Sequence, residues 1–131
     1  MYNYLIYPDP KSEKSLTDLL ADLKNHFASK KSIPNGFLIT ADKITLRYGD
    51  YNFYIHENQH DFISEELLDL MERFDRKDFA GNDIDLVKFS KAKKRYELHG
   101  DNDFEMNYFN ESLFIIEFFE KNGNYLIFQT N

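Results

Sequence analysis

Residues 43–55 read KITLRYGDYNFYI, and this stretch decides the fold. Apolar residues alternate with polar ones from Ile44 to Tyr48, and the alternation resumes from Tyr51 to Ile55. A period of two predicts a pair of β-strands, each with one covered face. Gly49-Asp50 stands between the two runs and predicts the tight turn of a β-hairpin. An antiparallel sheet is therefore the expected centre of the fold.

The residues before this hairpin predict two strands, at 3–7 and 37–40, and one helix. Residues 3–7 are predicted to form a short strand that ends at Pro8, because proline has no backbone N–H to donate to the strand pairing. Ser15 and Asp18 have the spacing of a helix-capping pair. The apolar residues that follow, up to Phe27, recur at helical spacing.

The residues after the hairpin predict a second helix, a loop and further strands. Residues 61–74 carry an apolar stripe opposite an acidic one, which predicts an amphipathic helix. We expect a polar loop at 75–85 and short strands at 86–89 and 95–98.

Residues 113–119 fit either a helix or a strand. We favour a strand that turns at Asn122-Gly123 and returns as residues 125–129, because Asn-Gly between apolar runs is a strong hairpin signal. Together, the predicted strands and helices indicate one α+β domain over residues 1–131. Its expected architecture is a mostly antiparallel sheet of five to seven strands, with two helices packed on one face.

Charge is unevenly distributed along the chain, whose formal net charge is −7. Residues 51–87 carry three basic and ten acidic groups, and residues 96–131 carry one and seven. A negative surface disfavours nucleic acid and membrane lipid and favours a basic protein partner. The chain has no cysteine, no signal-peptide pattern and no long apolar run, which leads us to expect a cytoplasmic protein.

A zinc-site pattern occurs at His56-Glu57-Asn58-Gln59-His60, which matches H-E-x-x-H. On a helix this spacing lets both histidines bind zinc and makes the glutamate a general base, as in a zinc-dependent hydrolase. Here the pattern follows a predicted strand and ends before a predicted helix, so the shared face is lost. We therefore predict no cofactor and no enzyme activity, with the zinc hydrolase as the alternative.

A basic run, residues 88–95, holds five Lys or Arg and no acid. It is the one segment to which phosphates would be attracted, but acidic segments flank it on both sides. We expect it to be a charged loop or strand edge that discourages aggregation between sheets, or to dock internally on the acidic helix.

Two acidic segments predict a surface for a basic partner. On the helix at 61–74, Glu65, Asp69 and Glu72 follow the i, i+4, i+7 spacing of one stripe. The second segment is acid-rich and runs from residue 101 to residue 111. Tyrosines offer large contact area at low entropic cost. The predicted partner-binding residues are Glu65, Asp69, Glu72, Glu66, Tyr51, Tyr54, Asp101, Asp103 and Glu105.

The acidic stripe Glu65, Asp69 and Glu72, the acid-rich segment 101–111 and the tyrosines give the chain a resemblance. It resembles the immunity proteins of bacterial toxin systems. The resemblance is one of class and carries no motif. It implies a short, acidic, cytoplasmic α+β inhibitor that neutralises a basic protein, such as a nuclease toxin, by covering its active surface. A nucleic-acid mimic, with carboxylates spaced like phosphates, is a further alternative.

Overall fold

The computed structural model describes residues 2–30, 33–74, 86–122 and 125–130. Within these ranges no helix is both long and apolar enough to cross a membrane. The elements along the chain are β1 (Tyr4–Pro8), α1 (Leu16–Phe27), β2 (Gly36–Ile39), β3 (Lys43–Tyr48), β4 (Tyr51–Gln59), α2 (Ile63–Phe74), α3 (Leu86–Phe89), β5 (Lys94–Gly100), α4 (Phe109–Lys121) and β6 (Tyr125–Gln129).

The six strands form one sheet in the order β2-β3-β4-β5-β1-β6. Every neighbouring pair is antiparallel, which confirms the expected α+β class and the antiparallel sheet. The predicted hairpin joins β3 to β4, with Ile44 opposite Ile55 and Leu46 opposite Phe53. Gly49 lies in its turn at φ 62°, a left-handed conformation that glycine adopts without strain.

One face of the sheet is covered by α1 and α4. Helix α1 begins with the predicted capping box, in which the Ser15 hydroxyl accepts from the Asp18 N–H and the Asp18 carboxylate accepts from the Ser15 N–H. Five buried α1 residues and the buried face of α4 pack on inward residues of β1 and β3–β6. Fully burying each large apolar side chain stabilises the fold by roughly 1.5–3 kcal/mol.

The other face is covered in part by α2, so the two predicted helices, α1 and α2, lie on opposite faces of the sheet and not on one face. Helix α2 and Phe89 form a separate apolar cluster with Tyr7, Leu126 and Phe128 of β1 and β6. These two strands are apolar on both sides, and four consecutive residues of β6 are buried. Strands with two apolar faces need a covering layer on each side.

Two strand predictions are also wrong. Residues 113–119 belong to α4, because Ser112, Ile115, Ile116 and Phe119 are buried at helical spacing. The segment 125–129 is a strand as predicted, but it pairs with β1 rather than with residues 113–119. Residues 86–89 form the single turn α3, a short apolar run for which periodicity does not separate helix from strand. The loop predicted at 75–85 lies outside the described residues.

Gly100 ends β5 where the backbone meets two aromatic rings. A Cβ atom at this position would collide with the Tyr51 hydroxyl and lie 3.1 Å from the Phe53 ring. We expect Gly100→Ala to lower the free energy of unfolding by about 1–3 kcal/mol, measured by urea denaturation, because the site is already filled.

Gly36→Ala is the matched control for this prediction. Gly36 also lies in a strand, and a Cβ there would meet no atom within 4 Å. Equal losses of stability for the two variants would contradict the steric explanation.

Candidate functional site

Three of the four predicted acidic residues of α2 are exposed to solvent. Glu65, Asp69 and Glu72 lie along its outer face, where Asp69 pairs with Arg73 at 2.9 Å. Leu68 lies within this stripe and is 40% exposed. We call Glu65, Leu68, Asp69 and Glu72 the α2 stripe.

Glu66 points toward the sheet and is not part of that stripe. Its carboxylate accepts a hydrogen bond from the Tyr7 hydroxyl and pairs with the Arg95 Nε at 2.7 Å. Burial and this hydrogen bond raise the pKa of Tyr7, so its hydroxyl keeps its proton. Glu66 therefore fastens α2 to β1 and β5 and is not free for a partner.

Most of the basic run is paired with acidic groups inside the molecule. Besides Arg95, Lys94 lies 3.8 Å from Glu57, and Lys88 lies 2.7 Å from Asp9. Internal docking of the basic run on α2 was one of the two expectations. It is observed for one residue, Arg95, which pairs with Glu66.

Of the tyrosines proposed as anchors, Tyr51 is buried. Its hydroxyl donates to the Asp101 carbonyl at 2.6 Å, and its ring stacks on Tyr108 at 4.2 Å. Tyr54 is half-buried on the opposite face of the sheet, and its hydroxyl donates to the Asp101 carboxylate at 3.0 Å. Tyr51 is thus a buried support for the loop after β5, and it has little exposed surface to offer a partner.

Asp103 is also buried, and it fixes the conformation of that loop. Its carboxylate accepts from the Tyr2 hydroxyl at 2.6 Å and from the backbone N–H groups of Asn107 at 2.9 Å and Tyr108 at 2.7 Å. Burial alone would raise the pKa of Asp103, but these three donors outweigh it and the pKa lies below its usual value. The ionised carboxylate therefore stabilises the loop.

Asp101 ties the start of the same loop to β4. Its carboxylate accepts from the Asn52 N–H at 2.9 Å as well as from Tyr54. The backbone N–H of Asp101 donates to the Asn52 carbonyl at 3.0 Å. Glu105, the last predicted residue of this segment, is exposed.

The loop and the first turns of α4 expose four large apolar side chains that the sequence analysis did not single out. Phe104 is 83% exposed, Met106 49%, Phe109 43% and Leu113 44%. Met106 has a φ of 59°, and its carbonyl accepts from the Phe109 N–H at 3.4 Å, so the loop folds back against the start of α4. Residues 101–113 contain four acidic groups and no basic one. We call the exposed part of residues 101–113 the 101–113 surface.

The two acidic regions belong to helices on opposite faces of the sheet. Helix α4 packs on the face of the sheet that α1 covers, whereas α2 packs on the other face. The predicted carboxylates therefore lie on two separate elements, and the nucleic-acid mimic stays an alternative hypothesis.

The H-E-x-x-H residues lie on β4 and just beyond it, as the sequence pattern indicated. The His56 ring stacks on His99 at 5.1 Å, and the His60 ring stacks on Phe62 at 4.8 Å. Successive strand residues point to opposite faces, so Glu57 does not share a face with His56. Among the described residues, no three His, Asp or Glu side chains are placed to hold a metal ion.

Comparisons of the chain with models of protein families, with curated proteins and with solved structures find no match.

Proposed function

We propose that the protein is a small acidic inhibitor that neutralises a basic protein partner by covering its active surface, as immunity proteins do for toxins. The observation that carries this proposal is the 101–113 surface. It combines four exposed apolar side chains with carboxylates and no basic group. Exposed apolar groups rimmed by polar ones are typical of protein-binding sites.

The rigidity of the loop favours tight binding. Asp103 holds three donors, and Tyr108 stacks on the buried Tyr51. A loop held in one conformation loses little entropy when a partner covers it. Phe104 at its tip would then enter an apolar pocket of the partner, and Glu105 would meet basic groups at the pocket rim.

The α2 stripe lies on the other side of the sheet and would act at longer range. Its carboxylates add to the field that draws a basic partner toward the protein, without being buried in the contact. We expect the charge reversals Glu65→Lys, Asp69→Lys and Glu72→Lys together to slow association at least about threefold at low salt and to leave dissociation unchanged.

Stopped-flow kinetics at about 50 mM and about 300 mM NaCl checks this prediction, because screening weakens steering at the higher salt. A slower association that persists at the higher salt, or a faster dissociation, would mean that the stripe belongs to the contact itself.

The function is tested by recovering the partner. The tagged protein is used to capture proteins from its source cells, and the products of neighbouring genes are tested directly as candidates. We expect a basic protein that binds with one-to-one stoichiometry and loses its activity in the complex. Failure of every captured or neighbouring basic protein to be inhibited would contradict the proposal.

A further inference from the structure

A second surface with different chemistry lies on the sheet face that α2 covers only in part. The apolar cluster under α2 contains residues of β1 and β6, but among the described residues it contains none of β3 or β4. On this face, β3, β4 and β5 carry Lys43, Arg47, Tyr54, His56 and His99, which are half-buried or exposed within the part of the chain that the structure describes. We call these five residues the imidazole face.

Strand register brings the five residues together. Lys43 lies opposite His56, and Tyr54 lies opposite His99. The His99 ring stacks on His56 at 5.1 Å with an angle of 5°, and on Tyr54 at 5.0 Å with an angle of 29°. The faces of the Tyr54, His99 and His56 rings cover one another. A ligand would therefore meet the edges of the two imidazole rings, where their nitrogen atoms lie.

Two cationic side chains, Lys43 and Arg47, and two carboxylates, Glu97 and Asp101, lie on or beside this face. Neither Lys43 nor Arg47 forms an ion pair in the described part of the chain, and the Lys43 ammonium lies 5.3 Å from the centre of the Tyr54 ring. Two carboxylates lie nearby: Asp101 accepts from two neutral donors, Tyr54 and Asn52, and keeps its negative charge, whereas Glu97 pairs with Arg95 at 3.4 Å. A small anion placed between Lys43 and Arg47 would meet two cations that form no ion pair within the described residues.

We propose that the imidazole face binds a small phosphate-bearing ligand. The Arg47 guanidinium matches phosphate oxygens in two-pronged fashion, and Lys43 supplies a point charge from the other end of the same strand segment. Their Cα atoms are about 13 Å apart along β3, and the Lys43 ammonium lies over the Tyr54 ring, which is paired with Thr45 between them. The edges of His56 and His99 supply N–H donors to the same oxygens.

The charge of the whole molecule limits the ligand to a small one. A net charge of −7 opposes the approach of a long polyanion, whereas one phosphate group can be held by two local cations. This inference does not depend on the inhibitor function, because the imidazole face shares no residue with the 101–113 surface.

The test is calorimetric titration of the whole protein with sodium phosphate and, separately, with adenosine monophosphate, at about pH 6.5 and low salt. We expect a dissociation constant below about 1 mM for at least one of them. Equal binding would identify the phosphate group as the recognised feature, and preference for the nucleotide would show that the rest of the molecule also contributes. The double variant Lys43→Gln/Arg47→Gln should bind at least about tenfold more weakly.

A matched variant separates a site from general electrostatics. Lys11→Gln/Lys24→Gln removes the same charge from two exposed lysines elsewhere and should leave the affinity within about twofold. The NMR signals of the His56 and His99 rings should move on titration, and those of His26 and His60 should not. Equal weakening by both double variants, or unmoved His56 and His99 signals at about 10 mM ligand, would overturn the proposal.

Discussion

Replacement of Asp103 by alanine is expected to lower the free energy of unfolding by about 3 kcal/mol. Three donors lose their acceptor at once, and one of them, the Tyr2 hydroxyl, belongs to a residue that is only 3% exposed. A buried donor left unsatisfied costs about 1–3 kcal/mol, and hydrogen bonds to a charged acceptor are the stronger kind. The Tyr2 hydroxyl gains no substitute at this position, since the alanine side chain has no acceptor atom.

Urea denaturation of two variants checks this prediction. Glu105→Ala removes a carboxylate from the same loop, but Glu105 is exposed, so its loss should change stability by less than about 0.5 kcal/mol. If both variants lost the same stability, Asp103 would not be the residue that fixes the loop.

The effect of Asp103 should also depend on pH, with a sign set by its lowered pKa. Burial opposes ionisation, but the donors from Tyr2, Tyr108 and Asn107 outweigh burial. A carboxyl whose pKa is lower in the folded state stabilises fully above its unfolded pKa and loses that contribution as the pH falls through the folded one. The stability gap between the wild type and Asp103→Asn should therefore be largest near neutral pH and should narrow below about pH 4.

The parts of the fold that sequence could predict are those fixed by local pattern. Alternation in residues 43–55 specifies the hairpin, and the Ser15–Asp18 pair specifies the start of α1. The prediction of a strand at 113–119 is wrong because strand pairing here depends on residues that are far apart in the sequence. The segment 125–129 pairs with β1, a strand from the start of the chain, and this leaves α4 to cover the sheet.

The candidate site residues also fall into two groups, those placed by local spacing and those held by contacts with distant segments. Helical spacing correctly places Glu65, Asp69 and Glu72 on an outer stripe. It cannot show that Glu66 is held by Tyr7 and Arg95, because those partners come from distant strands. Phe104 was missed because a single phenylalanine in a polar turn has no periodicity; the unusual presence of an aromatic residue there was the one available signal.

Replacement of Phe104 by alanine should weaken partner binding by at least about 2 kcal/mol, or roughly thirtyfold. The side chain is 83% exposed, more than any other large apolar residue in the described part of the chain, and it stands on a loop that Asp103 holds rigid. Burying a phenylalanine side chain in a partner contributes about 1.5–3 kcal/mol from apolar transfer alone. Because the ring makes little contact within the free protein, the stability of the free protein should change by less than about 0.5 kcal/mol.

The dissociation constant of the purified complex, measured for Phe104→Ala and Phe62→Ala side by side, tests the central claim most directly. Phe62 is 52% exposed and precedes α2, on the other side of the sheet from the 101–113 surface, so the two variants remove the same side chain from different places. We predict a loss of roughly thirtyfold for Phe104→Ala and less than about threefold for Phe62→Ala. Equal effects, or a larger loss for Phe62→Ala, would contradict the assignment of the 101–113 surface as the partner-binding site.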